Sequence, residues 1–432
     1  MKKNIIINIL MICMIFTPIN VYANEILYKP EQQQIIENIP QIGCKAAYIA
    51  NPETGKVFYE KNAHEKMYPA STTKILTALV VLEKCKLTDT AKVSQNALDL
   101  VPSGYSNVNL QVGEELTIET LLQALLIPSA NEAANVLAEH VSGSVEDFAK
   151  LCNNRAKELG CDNLHFVNPN GLHDENHYCS AYDLYLIAKE CQKYDAFNEI
   201  VKMKSFRVPA TSMHPANDRT FTNTNYLLFS NMPNYYYQYC TGIKTGHTTP
   251  AGECLVASSS KENIDLISVV LGGGTNNKGL NERFYDTKQL FEFIYDNYLY
   301  KEIVKEKNVI TNVNVEKATK DSESLDVIID KSISTIVPNN LDISKINFKI
   351  NMNKKIVAPI KQNEVLGYIT YEVDGLNYTE ELIASHDVEK KPYWIYNSLV
   401  VVGIFFVLLI IVVVSKTKRK RRLERKKYGK YC

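Results

Sequence analysis

The chain of 432 residues is poor in several features that mark common classes of protein. Its ten cysteines form no Cys-x-x-Cys pair, which argues against a zinc ribbon and against a thioredoxin-type redox site. It has no excess charge of either sign, because 48 Lys and Arg residues balance 48 Asp and Glu residues. It also shows no internal repeat, which argues against a solenoid. The length instead fits two or three packed domains.

The charge is balanced overall but unevenly distributed. The last seventeen residues hold ten Lys or Arg residues and one Glu, a net charge of +9. Without that tail, Lys2 and Lys3, the chain has 36 basic and 47 acidic residues, a net charge of −11. An acidic body on a basic tail is not typical of a nucleic-acid-binding protein. We therefore expect no nucleic-acid partner.

The amino-terminal segment MKKNIIINILMICMIFTPINVYANE combines two lysines with an apolar run. Val21-Tyr22-Ala23 then fits the small-residue cleavage site of a secretory signal peptide. We predict a signal peptide at residues 1–23, cut after Ala23, and hence an exported body.

A second apolar run lies near the carboxyl end. Residues 399–414 are sixteen unbroken apolar residues. With the preceding YWIYNS they give ~20 residues, enough to cross the ~30 Å hydrocarbon core of a bilayer. The pattern predicts a linker at 387–392, a transmembrane helix at 393–414 with its aromatic residues at the outer interface, and a cytoplasmic basic tail at 415–432 near anionic lipids. A buried core helix is the alternative. The body would then lie on the extracytoplasmic side of the cell membrane, anchored by a single span.

The exported body shows two successive patterns. Residues 44–63 alternate around a Pro-Glu-Thr-Gly turn, which predicts a β-hairpin. Helical patterns follow at 72–84, 117–126, 131–141, 145–159 and 181–193. Strand-like runs then occur at 239–245, 253–260 and 265–272, and a closing helical pattern at 282–298. This order predicts an α+β domain over residues 24–298, with helices against an antiparallel sheet. Short alternating strands then predict a small all-β domain, a β-sandwich, over 299–386.

Local signals refine this assignment. Thr117 and Thr120 are candidate caps of the second helix, and Ser144 is a candidate cap of the fourth. Eight cysteines fall in the exported part, where they allow 105 disulfide connectivities. Since a body of this size does not need disulfides, we favour free thiols and leave pairing open.

A Ser-x-x-Lys pattern occurs three times, at Ser71/Lys74, Ser258/Lys261 and Ser415/Lys418. The last lies in the basic tail, and the second ends a strand at a plausible turn. Only Ser71 and Lys74 open an apolar helix, in YPASTTKILTALVVLEK. Residues three apart share a helical face, so this lysine lies within reach of the serine.

Two further motifs follow in order. Ser-x-Asn occurs at Ser94/Asn96 and again at Ser129/Asn131, where LLIPSANEAANVL breaks between two helices. Lys-Thr-Gly occurs once, at residues 244–246, at the start of a strand pattern. Its Gly246 would let a bound backbone approach closely. Each motif alone is weak evidence for a catalytic site, but the three motifs in this order are strong evidence.

These residues resemble the low-molecular-mass penicillin-binding proteins that act as D-alanyl-D-alanine carboxypeptidases, for which Ser-x-x-Lys, a Ser-x-Asn-type element and Lys-Thr-Gly are the motif set. The likeness extends over roughly residues 40–385, through PSGYSNVNLQVGEELTIETLLQALLIPSANEAANVLAEHVSGS, FVNPNGLHDENHYCSAYDL and APIKQNEVLGYITYEVDG. It implies a penicilloyl-serine transferase (β-lactamase-like) fold followed by the small β domain. It also implies peptidoglycan stem peptides as substrate, β-lactam antibiotics as inhibitors, and no cofactor or metal.

The chemistry needs a base for the serine. Lys74 serves Ser71 only as a neutral amine, and burial and a second cation both lower an amine's pKa. Lys244 is the candidate second cation. Ser129 would pass a proton to the leaving amine, and Asn131 would hold the Lys74 amine and the substrate amide.

The resemblance also implies how the substrate is bound. Backbone N–H groups of Ser71 and His247 would form an oxyanion hole. Arg283 matches the family position for the substrate's terminal carboxylate, with Thr245 beside it. The alternative for Arg283 is an ordinary surface ion pair, and for the two serines and Asn131 it is helix capping.

Three other functions are the alternatives to this interpretation. A class A β-lactamase would need a deacylating glutamate, and no Glu-x-x-Leu-Asn segment precedes Lys244. A zinc peptidase would use His173 and His177, but these lack the glutamate of His-Glu-x-x-His and lie in a loop-like segment. An inactive, anchored wall-binding protein on the same fold is the third. The sequence does not distinguish a vegetative from a spore wall role, an added endopeptidase or transpeptidase activity, or the oligomeric state.

Overall fold

The computed structural model of the chain describes residues 39–428 apart from 217, 354, 374 and 393. The predicted signal peptide and the last four residues of the tail lie outside the described residues. The helices are α1 (Lys74–Lys84), α2 (Gln95–Asp99), α3 (Ile118–Leu126), α4 (Asn131–Ser142), α5 (Val145–Glu158), α6 (Ala181–Cys191), α7 (Asp195–Val201), α8 (Glu282–Asn297) and α9 (Trp394–Tyr428). The strands are β1 (Ala46–Ala50), β2 (Val57–Lys61), β3 (Thr90–Lys92), β4 (Glu115–Thr117), β5 (Ser205–Arg207), β6 (Thr220–Thr222), β7 (Cys240–Thr248), β8 (Gly252–Lys261), β9 (Ile264–Gly273), β10 (Tyr298–Val304), β11 (Val309–Asn314), β12 (Ser324–Ile329), β13 (Ile333–Pro338), β14 (Phe348–Met352), β15 (Val365–Val373) and β16 (Leu376–Ala384).

A five-stranded antiparallel sheet in the order β2-β1-β9-β8-β7 forms the centre of the first domain. Its strands β8 and β9 are buried along most of their length, because helices cover both faces of the sheet. The α1–α6 cluster packs on one face, and α8 packs on the other with Phe284, Leu290 and Phe291. The predicted α+β fold and its opening hairpin are therefore confirmed.

The helical layer is organised around α1, whose residues from Lys74 to Val81 are all buried. A helix that is apolar on every side must lie inside other helices. The structure confirms two of the predicted caps, since Thr117 and Ser144 each accept a hydrogen bond from a backbone N–H of the helix they precede. Thr120 is not a cap: it lies inside α3 and donates its N–H to Thr117.

The second domain is all β, as predicted. The sheet β11-β12-β16-β15-β14 and the pair β10-β13 enclose a core that includes Leu325, Val327, Leu366 and Leu382. The alternating runs VITNVNVEKA, SLDVIID, NFKINMN and GYITYEV, on which this prediction rests, correspond to β11, β12, β14 and β15, and no such run marked β10, β13 or β16. Strand β13 is buried on both faces, so its sequence lacks the alternation that marks a half-buried strand.

The C-terminal apolar run forms a helix. Among the described residues, the stretch Asn397–Lys426 within α9 is the one helix long and apolar enough to cross a membrane. The helix does not end at residue 414, because it continues through the basic segment to Tyr428.

Candidate active site

The serine turn lies at the start of α1. Residues Ala70–Thr73 form a 3₁₀ turn that leads directly into the helix. Side chains at i and i+3 eclipse one another in a 3₁₀ turn. Lys74 therefore lies against Ser71, and its Nζ is 2.9 Å from the Ser71 Oγ. The N-cap of α1 is Thr73, so Ser71 is not a helix cap.

Lys74 is completely buried beneath this turn. Its Nζ also donates to the Asn131 Oδ1 at 2.8 Å and to the backbone oxygen of Asn170 at 2.6 Å. Burial holds the Lys74 pKa well below its ordinary value, and the nearby charge of Lys244 lowers the pKa further. The amine is thus held in place by uncharged acceptors in a site that disfavours the ammonium form.

The Ser-x-Asn element lies at the start of α4. The cap of this helix is Ala130, so neither Ser129 nor Asn131 serves as the N-cap. Asn131 also donates its Nδ2–H to the backbone oxygen of Ser106 at 3.0 Å, which fixes its amide orientation. Ser129 is almost buried and has a backbone φ of +70°.

The other Ser-x-Asn pair is a structural feature. Ser94 caps α2 by accepting the N–H of Ala97, and its hydroxyl binds Glu139. Asn96 binds the same carboxylate at 2.7 Å. Of the two Ser-x-Asn pairs, only Ser129/Asn131 contacts Lys74.

Strand β7, an edge strand of the sheet, carries the Lys-Thr-Gly segment past the serine turn. A Cβ at Gly246 would lie 2.8 Å from the Pro69 oxygen and 3.1 Å from the Ser71 nitrogen, so only glycine permits this approach. Lys244 is buried, and its Nζ donates to the Thr245 oxygen at 2.9 Å. Burial, and then the charge of Arg283, lower the Lys244 pKa to about 7.

Arg283 reaches the same strand from α8. One guanidinium nitrogen donates to the Gly246 oxygen at 2.9 Å and pairs with the Glu253 carboxylate at 2.6 Å. The other oxygen of Glu253 is 3.1 Å from the His247 ring, which is 57% exposed. Arg283 thus makes an ion pair, but a largely buried one beside Gly246 rather than a surface pair.

Two backbone outliers lie in the motif segments, one directly before Ser71 and one at Ser129. Ala70 has φ +48° and Ser129 has φ +70°, conformations that cost about 1–3 kcal/mol each in non-glycine residues and cluster at functional sites. Gly171, at φ +81°, packs so closely on Ala70 that any Cβ would overlap the Ala70 oxygen. The NPNGL segment therefore both shapes the serine turn and supplies the Asn170 oxygen.

Three further residues of the site, Asn170, Glu253 and Thr224, were not predicted from the sequence. Thr224 Oγ1 lies 2.5 Å from the Thr245 Oγ1. The NPNGL segment had contributed only to the family resemblance, and no local pattern points to the other two. Glu132, directly after Asn131, is also buried, and burial raises its pKa.

The histidines of HDENH do not form a metal pair. His177 accepts the Val167 N–H at its Nδ1, so its Nε2 carries the proton and donates to the Thr73 hydroxyl at 2.8 Å. Its ring stacks on Phe166, and burial lowers its pKa to about 3. Both ring nitrogens are engaged, which leaves no lone pair of His177 for a zinc ion.

The cysteines of the described residues are all free. Six of the eight are buried, and the other two are partly exposed. Burial raises the pKa of the Cys44 and Cys179 thiols well above the ordinary value. The favoured prediction of free thiols agrees with this structure.

Comparison with known families supports the resemblance. Residues 33–275 match the family model described as D-alanyl-D-alanine carboxypeptidase. Residues 298–390 match the model of the penicillin-binding protein 5 C-terminal domain.

Named relatives and solved structures agree with this match. The chain is 33% identical over 359 residues to the D-alanyl-D-alanine carboxypeptidase DacF of Bacillus subtilis, covering 82% of this chain and 87% of the relative. It is 30% identical to DacA of Escherichia coli K12, covering 79% of this chain and 82% of the relative. Penicillin-binding protein 5 of Haemophilus influenzae shares the structure with a TM-score of 0.62 at 26% identity, over 82% of this chain and 99% of that one. None of these relatives favours the β-lactamase or the non-enzymatic alternative, and the chain belongs to the D-alanyl-D-alanine carboxypeptidase family of serine peptidases.

Proposed function

We propose that Ser71 is the nucleophile of this carboxypeptidase and that Lys74 is its general base. The observation that carries the proposal is the set of partners around the Lys74 Nζ. A neutral amine has two hydrogens and one lone pair. The Asn131 Oδ1 and the Asn170 oxygen are acceptors only, so they take the two hydrogens. The lone pair is then left for the Ser71 hydroxyl at 2.9 Å.

Acylation follows from this arrangement. Lys74 takes the Ser71 proton as the serine oxygen attacks the carbonyl of the terminal D-Ala-D-Ala peptide bond. Backbone N–H groups of Ser71 and His247 stabilise the negative charge on the carbonyl oxygen. The proton then passes from the Lys74 ammonium through the Ser129 hydroxyl to the departing D-alanine amine. Water hydrolyses the acyl-enzyme, with Lys74 again accepting a proton.

Substrate binding uses the strand beside the serine turn. Lys244, Thr245 and Arg283 bring two cationic groups and a hydroxyl together, and we assign them to the substrate's terminal carboxylate. Gly246 admits the substrate backbone, and Asn131 holds the substrate amide as well as Lys74. Glu253 keeps Arg283 oriented when no carboxylate is bound.

The proposed substrate is the pentapeptide stem of peptidoglycan, from which the enzyme removes the terminal D-alanine, and β-lactams acylate Ser71. We place residues 24–298 in the peptidase domain and 299–386 in the β domain. The apolar stretch of α9 anchors the chain in the cell membrane, with the peptidase outside and the basic tail in the cytoplasm.

The test is the intact mass of the full chain in detergent, before and after benzylpenicillin. A long-lived adduct is expected on the wild type and on Ser415→Ala, which alters a Ser-x-x-Lys serine in the basic tail. Ser71→Ala should carry none. An adduct that disappears within seconds would indicate a β-lactamase, and no adduct on a folded wild-type chain would refute Lys74 as the base.

A further inference from the structure

The Thr224 hydroxyl lies inside the site without a role in the mechanism above. Its Oγ1 is 2.5 Å from the Oγ1 of Thr245, the middle residue of Lys-Thr-Gly. Thr245 is 5% exposed and Thr224 is partly buried, so the pair is largely shielded from water. The two residues are 21 positions apart, and only the tertiary structure brings them together.

Two buried asparagines fix Thr224 from either side. Asn223 donates its Nδ2–H to the Met203 oxygen at 2.9 Å, just after α7. Asn225 donates its Nδ2–H to the Gly242 oxygen at 3.0 Å, on the same strand as Thr245. The backbone of Thr224 is therefore tied both to α7 and to β7. A side chain held in this way is preorganised, since its geometry does not depend on the substrate.

The direction of the hydrogen bond between the two hydroxyls follows from the ligand. A threonine hydroxyl has one hydrogen to donate, whereas a carboxylate accepts only. When Thr245 donates its hydrogen to the substrate carboxylate, it has none left for Thr224. Thr224 must then donate to Thr245. A hydroxyl that accepts one hydrogen bond donates a stronger one, and the charged acceptor strengthens the whole chain.

We propose that Thr224 is a positioning residue that sets the selectivity for a free terminal carboxylate, by donating to Thr245 and orienting the Thr245 proton toward that carboxylate. This inference rests on the proposed function, because it takes the carboxylate subsite to lie at Thr245. A neutral leaving group gains nothing from the oriented proton. The contribution of Thr224 therefore depends on the charge of the substrate rather than on its shape.

The experiment compares two acyl-D-alanyl thioesters with the full chain in detergent. The thiol leaving group of one carries a carboxylate (thioglycolate), and that of the other is the corresponding neutral methylamide. We expect Thr224→Val to lower kcat/KM for the anionic thioester about tenfold, mainly through KM, because it removes the hydrogen bond that orients the Thr245 proton toward the carboxylate. The neutral thioester should change less than twofold. Thr224→Ser should restore the anionic rate, and Thr222→Val, an exposed threonine of the same segment, is the matched control.

The outcomes separate this inference from the proposed function. If Thr224→Val lowers kcat/KM equally for both thioesters, with or without a lower unfolding temperature, Thr224 has a structural role and the inference is overturned. No loss on either thioester would overturn it as well. If the wild type turns over neither thioester and takes no benzylpenicillin, the proposed function fails instead.

Discussion

Replacing Asn131 by aspartate tests the general base, because it changes charge with almost no change in shape. The side-chain oxygen lies 2.8 Å from the Lys74 Nζ. At this separation a unit negative charge attracts the ammonium by about 6 kcal/mol at an effective dielectric constant of ~20. That gross attraction corresponds to about 4 pKa units, and burial of the new carboxylate opposes it. We expect a net upward shift of the Lys74 pKa by about 2–3 units.

The sign of the effect on activity is fixed by the protonation state that the base needs. Only neutral Lys74 accepts the Ser71 proton, so acylation is present above the Lys74 pKa and is lost as the pH falls through it. Raising the Lys74 pKa moves the acidic limb of the pH–rate profile of acylation to higher pH. At a pH below the acidic limbs of both proteins, acylation of Asn131→Asp by benzylpenicillin should be about 100- to 1000-fold slower than that of the wild type, and the difference should disappear as the pH is raised.

The assay is the second-order rate constant of acylation by benzylpenicillin from pH 5 to 10. Asn131→Ala is the matched control: it removes the acceptor without adding charge, so its rate should fall while its acidic limb does not move upward. If the acylation rate constant of Asn131→Asp is lower by the same factor at every pH, and the acidic limb of its pH–rate profile does not move, protonation of Lys74 does not limit acylation. The assignment of Lys74 as the base would then be wrong.

Three other perturbations follow from the structure. Gly246→Ala places a Cβ 2.8 Å from a backbone oxygen of the serine turn, and should lower benzylpenicillin acylation at least tenfold; an unchanged rate would show that the strand can move aside. Arg219→Ala leaves the buried Glu114 carboxylate without its ion pair, and should lower the urea unfolding free energy by about 3–5 kcal/mol, whereas the exposed Arg207→Ala should change it little. Lys244 has a folded pKa of about 7, below its unfolded value, so the unfolded state binds more protons above pH 7. The difference in unfolding free energy between the wild type and Lys244→Met (wild type minus variant) should therefore rise by about 2 kcal/mol from pH 7 to pH 9. A difference that does not change with pH would contradict the lowered pKa.

The sequence by itself determined the strands of the central sheet, the main helices packed on it, and their order along the chain. Alternation around a turn predicted the β1–β2 hairpin, and an apolar stretch predicted α1, because the periods of strand and helix are local properties of the chain. The three motifs and their order predicted the family for the same reason, since each motif is a short contiguous pattern. The small β domain was predicted only in part, because β13 is buried on both faces and shows no alternation.

The sequence context favours Ser71/Lys74 among the three Ser-x-x-Lys patterns, and the tertiary structure shows what the other two serines and lysines contact. In β8, residues three apart point to opposite faces, so Ser258 binds Thr241 while Lys261 lies over the Tyr239 ring. In α9, Ser415 donates to a backbone oxygen of its own exposed helix. The four-residue motif by itself does not separate these serines from Ser71; the flanking sequence and the fold do.

The environment of Lys74 was decided by contacts that are distant along the chain. Its acceptors come from Asn131 and Asn170, 57 and 96 positions away, and its neighbouring cation from Lys244 on the edge strand. A pKa depends on burial and on charges close in space, and neither is a property of a short segment. The sequence therefore identifies the serine and the lysine as candidates, and the fold lowers the pKa of that lysine.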